Sequence, residues 1–109
     1  MNNYSIHFYI EGPYEDLVSV TQMLDLSHAS SDYSGWEIEG GSAVLHYSND
    51  DCPYDLVEKA SEQFPSLKIT FRYTYILANV GLEIYEDGKI KLRSVYDWDN
   101  GKSHVSHYS

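Results

Sequence analysis

The sequence predicts a single α+β domain, built as strand, helix, strand, strand, helix, strand and closed by a further hairpin. Three observations predict it. Tyr4 to Ile10 and Leu67 to Tyr75 alternate apolar and polar residues with a period of two. Leu17, Val20 and Leu24, and then Leu56, Val57, Ala60 and Phe64, recur at helical spacing. Gly40-Gly41 and Glu86-Asp87-Gly88 each join two short alternating runs, as hairpin turns do.

In the first strand Tyr4, Ile6, Phe8 and Ile10 face one way, and Ser5, His7 and Tyr9 the other. Gly12 and Pro13 stop it and open a helix, because proline is preorganised for a first helical turn and Glu15 and Asp16 suit its positive end. Ser27 to Gly35 reads as a polar loop. Trp36 to Glu39 and Ser42 to Tyr47 then form a hairpin. With Glu39 opposite Ser42, Ile38 meets Ala43 and Trp36 meets Leu45, so the apolar residues coincide while Glu37, Glu39, Val44 and His46 share the other face. Asp50 or Asp51 caps the second helix, Pro53 lies in its first turn and Pro65 ends it. In the next strand Leu67, Ile69, Phe71, Tyr73 and Tyr75 oppose Lys68, Thr70, Arg72 and Thr74. Val80 to Tyr85 and Lys89 to Val95 form the last hairpin. A three-residue loop with Gly88 left-handed sets Leu82, Ile84, Ile90 and Leu92 on one face, a match that a two-residue loop breaks.

This order is the ferredoxin-like β-α-β-β-α-β plan, an antiparallel sheet with two helices on one face, plus a C-terminal β-hairpin. Right-handed crossovers leave Ser5, His7, Tyr9, Glu37, Glu39, Val44, His46, Thr70 and Arg72 on the open face. Residues 1–95 form the domain with its hairpin, and 96–109 a polar C-terminal tail. With 109 residues and 42% apolar composition the chain holds one core. Cys52 is the single cysteine, which excludes an internal disulfide and suits a reducing compartment. No apolar run approaches the roughly 20 residues of a membrane span, so the expected location is cytoplasmic.

Charge is the strongest functional signal. Residues 1–58 contain no lysine or arginine and eleven Asp and Glu, while all seven basic residues, Lys59, Lys68, Arg72, Lys89, Lys91, Arg93 and Lys102, follow. The net charge of -10 therefore sits toward one pole. Such a field repels nucleic acid and anionic lipid and steers basic partners inward. Two accounts of it stand side by side, a binding surface and a solubilising coat.

Catalytic chemistry finds little footing. Glu37 and Glu39 are two apart on a strand and share an exposed face rather than flanking a pocket. Cys52 beside Pro53 has no nucleophile signature, whichever of His7, His28, His46, His104 and His107 is offered as its base. Asp97 to Gly101 resembles a calcium loop, but positions 6 and 12 fall on Lys102 and Tyr108 where glycine and glutamate are needed. No phosphate-binding glycine loop is present. An open sheet face can stack RNA bases, yet the acids around Tyr9 and the lack of a basic aromatic segment oppose it. The expectation is no enzyme, no cofactor, no metal and no direct nucleic-acid contact. Tyrosine among carboxylates suits a protein interface.

Phe64 to Tyr75 and Gly81 to Lys89 resemble the end of small ferredoxin-like domains of phage and plasmid proteins, of the YubB-like type. The resemblance implies a mobile-element origin, and small acidic proteins of such elements include anti-CRISPR proteins that occupy nucleic-acid-binding surfaces. It carries over no residue roles. The leading expectation is an inhibitor acting as a partial DNA mimic on a basic protein surface, a CRISPR effector or another nucleic-acid-binding protein, as monomer or homodimer. Its contact residues are Glu11, Glu15, Asp16, Asp32, Glu37, Glu39, Asp50, Asp51 and Asp55, with Tyr9, Tyr14 and Tyr33 as anchors. The alternatives are an immunity protein that neutralises a basic nuclease toxin, and a small-molecule or metal-binding regulatory module using Cys52 or the C-terminal histidines.

Overall fold

The structure is a computed structural model that describes residues 4–26, 32–49, 52–75, 79–97 and 101–108, with the backbone alone at 25–26, 32–37, 47 and 49. Its elements are β1 (Tyr4–Glu11), α1 (Tyr14–Leu26), β2 (Asp32–Glu39), β3 (Ser42–Asn49), α2 (Tyr54–Gln63), β4 (Lys68–Tyr75), β5 (Asn79–Glu86), β6 (Lys89–Asp97) and β7 (Lys102–His107). All seven strands lie in one sheet, in the order β2-β3-β1-β4-β5-β6-β7. Every neighbouring pair is antiparallel.

This corrects the ferredoxin-like expectation. Among the described residues the chain is mostly sheet, with seven strands against two helices, and no four-stranded unit stands apart with a hairpin added to it. The reason is continuous pairing. β5 ladders onto the outer edge of β4 from Ile69↔Tyr85 to Tyr75↔Asn79, and β6 onto β5. The segment expected to be a polar tail supplies β7, paired from Asp97↔Lys102 to Leu92↔His107 after a turn in which the Gly101 amide donates to the Asp97 carbonyl at 2.9 Å. The polar loop expected up to Gly35 is shortened as well, since β2 begins at Asp32.

Both helices pack on one face. Ile6, Phe8 and Ile10 of β1, Ala43 and Leu45 of β3, and Ile69, Phe71 and Tyr73 of β4 form the core with Leu17, Val20 and Leu24 of α1 and Val57 and Ala60 of α2. Phe8 and Phe71 stack with centroids 5.1 Å apart. Burying each such side chain stabilises the fold by about 1.5–3 kcal/mol. The β2–β3 register is Glu39↔Ser42, Ile38↔Ala43 and Trp36↔Leu45, as the glycine turn requires. Pro53 occupies the N-cap of α2 without a side-chain cap bond, while Asp50 and Asp51 lie outside the described residues.

The last hairpin departs from its predicted register. Its turn has two residues, Asp87 and Gly88, both left-handed at φ 59° and 80°, which matches a type I′ turn and the twist of the strands. Glu86 pairs with Lys89, and a bulge then restores Ile84↔Leu92. The extra residue moves Ile90 to the helix side, against the core, and leaves Leu82, Ile84 and Leu92 on the other. No helix among the described residues is long and apolar enough to cross a membrane.

Candidate functional site

At one end of the sheet β1 runs into α1 and β2 turns into β3. The Gly12 amide donates to the Gly41 carbonyl at 3.0 Å and locks these two connections together. Glu11 and Glu39 flank Ser42 in register, one on each neighbouring strand. Glu15 and Asp16 stand in the first turn of α1, where the helix dipole favours carboxylates. Tyr14 opens that helix and is 63% exposed. Glu11, Glu15 and Glu39 are exposed, and among the described residues none of the three has a cation within ion-pair distance. Lys68 is registered opposite Glu11 without pairing with it. Asp16 accepts a hydrogen bond from the Ser66 hydroxyl, which ties α1 to the loop before β4.

Five of the expected contact residues, Glu11, Tyr14, Glu15, Asp16 and Glu39, are therefore brought together. The others are not. Asp55 opens α2 at the opposite end of the sheet, and Tyr9 lies on the face away from the helices. Asp32, Tyr33 and Glu37 are placed by backbone register, opposite Ser48, Tyr47 and Val44, with their side chains outside the description. Asp55 instead heads a ridge on α2 with exposed Glu58 and Glu62, at i, i+3 and i+7. That spacing was readable in the sequence, and the apolar stripe of the same helix drew attention away from it.

A second constellation lies beneath α2. Glu83 faces the helix layer with 1% exposure. One carboxylate oxygen accepts from the Tyr85 hydroxyl at 2.6 Å and the other from Arg93 Nε at 2.9 Å. Burial and the neighbouring Glu83 carboxylate both raise the Tyr85 hydroxyl, so it stays a donor. Arg93, Tyr85, Lys89 and Ile90 line a cleft of about 160 Å³ with Glu58 and Glu62. Nothing in periodicity flagged Glu83, because alternation alone does not tell which face of β5 is covered.

Cys52 belongs to the same region and is half-buried. Burial, opposed by a hydrogen bond with Tyr54 and reinforced by Glu83, pushes its thiol up to about 12. Tyr54 stands edge-on to Phe71 and Tyr73, at 6.2 and 5.2 Å. His104 and His107, three apart on β7, point to opposite faces of the sheet and do not converge on one point. On the helix-free face His7 and His46 stack at 4.1 Å, with the Ser5 hydroxyl 3.2 Å from His46 Nε2. Burial, then His46 and Arg72, lowers His7.

Fold and surface together define a seven-stranded antiparallel sheet with one helical layer and an acidic end. No protein-family profile, curated protein or solved structure matches the chain.

Proposed function

We propose that the chain is a non-enzymatic, cytoplasmic binding protein that seats its acidic end on the basic surface of a nucleic-acid-binding protein and inhibits it, as an anti-CRISPR protein acting as a partial DNA mimic does. The observation that carries this reading is the cluster of Glu11, Glu15 and Glu39, exposed and without ion pairs among the described residues, around the Gly12–Gly41 contact. Carboxylates on a rigid frame compete with phosphates for the same Arg and Lys groups, and their hydrogen bonds to those cations are charge-assisted. Tyr14 adds a rigid amphipathic anchor beside them.

The test is affinity capture from phage-defence-bearing cells at moderate and high salt, with wild type and a Glu11→Lys/Glu39→Lys variant. Capture of a nucleic-acid-binding protein without its nucleic acid, lost in the variant, is the expected result. Equal capture by both proteins, or a captured partner still holding its nucleic acid, sinks the reading.

A further inference from the structure

The face of the sheet turned away from the helices carries no second layer. Along β5, β6 and β7 it is largely apolar, interrupted by Ser94, Ser103 and His107. Val80, Leu82 and Ile84 share it by register with Leu92, Tyr96 and Val105. Tyr96 is 42% and Val105 55% exposed, and the other four are half-buried. Across β3, β1 and β4 the same face holds Ser, Thr and His with two cations, Arg72 and, at the turn end, Lys68, and includes Tyr9 at 43% and Val44 at 45% exposure. Glu11, Glu39 and Glu86 form its rim at the turn end. Inward of that rim, from β3 to β7, no outer-face position is Asp or Glu, in a chain of net charge -10.

An apolar stripe of this kind marks an interaction surface. A basic partner finds no carboxylates within it, so it is distinct from the acidic end. We infer that the bare face is covered by a second copy of this chain, packed sheet against sheet. Size favours it. Six strands, β3 to β7, at roughly 4.8 Å and eight residues at roughly 3.4 Å give a face of about 800 Å², close to the roughly 800 Å² per partner of a standard interface. Charge favours it too. A two-fold axis running across the strands lays the apolar stripe of each copy on its counterpart with strand directions reversed. The acidic rims of the two copies then lie at opposite ends of the sandwich, so they stay apart. The pattern is that of an aligned β-sandwich, with an apolar centre and a polar surround.

Sedimentation equilibrium on the full chain tests this. Wild type is expected to be dimeric at about 100 µM and to dissociate on dilution, with Val105→Lys and Leu82→Lys each weakening the dimer by about tenfold or more. The milder Val105→Ser and Tyr96→Ser shift the equilibrium in the same direction and decide the matter if a lysine variant fails to fold. Lys59→Ala, on the exposed side of α2, leaves it unchanged. A monomeric wild type at that concentration overturns the inference, and so does a dimer that none of the face substitutions weakens.

Discussion

β1 and β5 lie in the same sheet and alternate with the same period, yet in opposite senses. β1 sends Ile6, Phe8 and Ile10 under the helices and Ser5, His7 and Tyr9 outward. β5 sends Gly81, Glu83 and Tyr85 under the helices and Val80, Leu82 and Ile84 outward. Periodicity thus identifies a strand without saying which of its sides is covered. On β1 the hydrophobic effect answers that question. On β5 the answer lies in two polar arrangements that α2 and β6 enclose. Glu83 is held by Tyr85 and Arg93, and the Tyr73 ring lies so close over Gly81 that a Cβ there would stand 2.0 Å from it.

The contrast can be broken at its strongest point first. Phe8→Ala should cost about 3–5 kcal/mol by chemical denaturation, whereas Leu82→Ala on the outer side of β5, measured at high dilution, should cost under about 1 kcal/mol. Similar losses would mean that β5 is covered on its apolar side. Next in size is Arg93→Met, which leaves Glu83 buried without its cation. The expected loss is about 2–3 kcal/mol, at the low end for such pairs because Arg93 is half-exposed, and Glu83→Leu added to Arg93→Met should restore most of it. Gly81→Ala should cost about 1–3 kcal/mol through displacement of the Tyr73 ring, and an unchanged melting temperature would show that the ring is not held there.

Two smaller effects sharpen the comparison through pH. Cys52 titrates near 12 in the folded chain against an ordinary 9.0, so its thiol is better accommodated neutral when folded. Its contribution to stability is complete below pH 9 and falls as pH rises from there toward 12, while those of Tyr54 and Tyr85, which shift the same way, begin to fall above pH 10. Slow reaction with a thiol reagent at pH 8 that speeds up in denaturant is the matching readout. His7 shifts the other way, below 6.5, through burial and then the cations beside it. The unfolded chain therefore takes up this proton first. Its stabilising effect is full above pH 6.5 and is lost on acidification below that, and His7→Gln should flatten this slope in pH-dependent melts.

The β1, β3 and β4 faces, both helical stripes and the β2–β3 register were legible because apolar alternation and the Gly40-Gly41 turn over-determine them. The hairpin after β5 was read correctly as a hairpin and wrongly in register. Two left-handed residues suffice for its turn, and a bulge, which leaves no mark in composition, absorbs the mismatch. β7 escaped notice because Lys102 to His107 is exposed throughout and carries no alternation, being held by backbone pairing to β6. For the acidic end, charge was visible in the sequence, but assembly was not. Glu11 and Glu39 are neighbours only because β3 runs between their strands, and Asp55, equally acidic, is carried to the far end by α2.

The strand count has a consequence of parity. Because every neighbouring pair is antiparallel and the described strands number seven, the two borders of the described sheet, β2 and β7, run in the same direction. A copy shifted sideways by simple translation would bring β7 alongside a β2 pointing the same way. The ladder would then have to change to the slanted and slightly weaker parallel pattern at every junction. An even-numbered sheet of the same composition would have no such mismatch. The odd strand thus guards both borders against growth into a ribbon, alongside the lysine and histidines that already blunt β7.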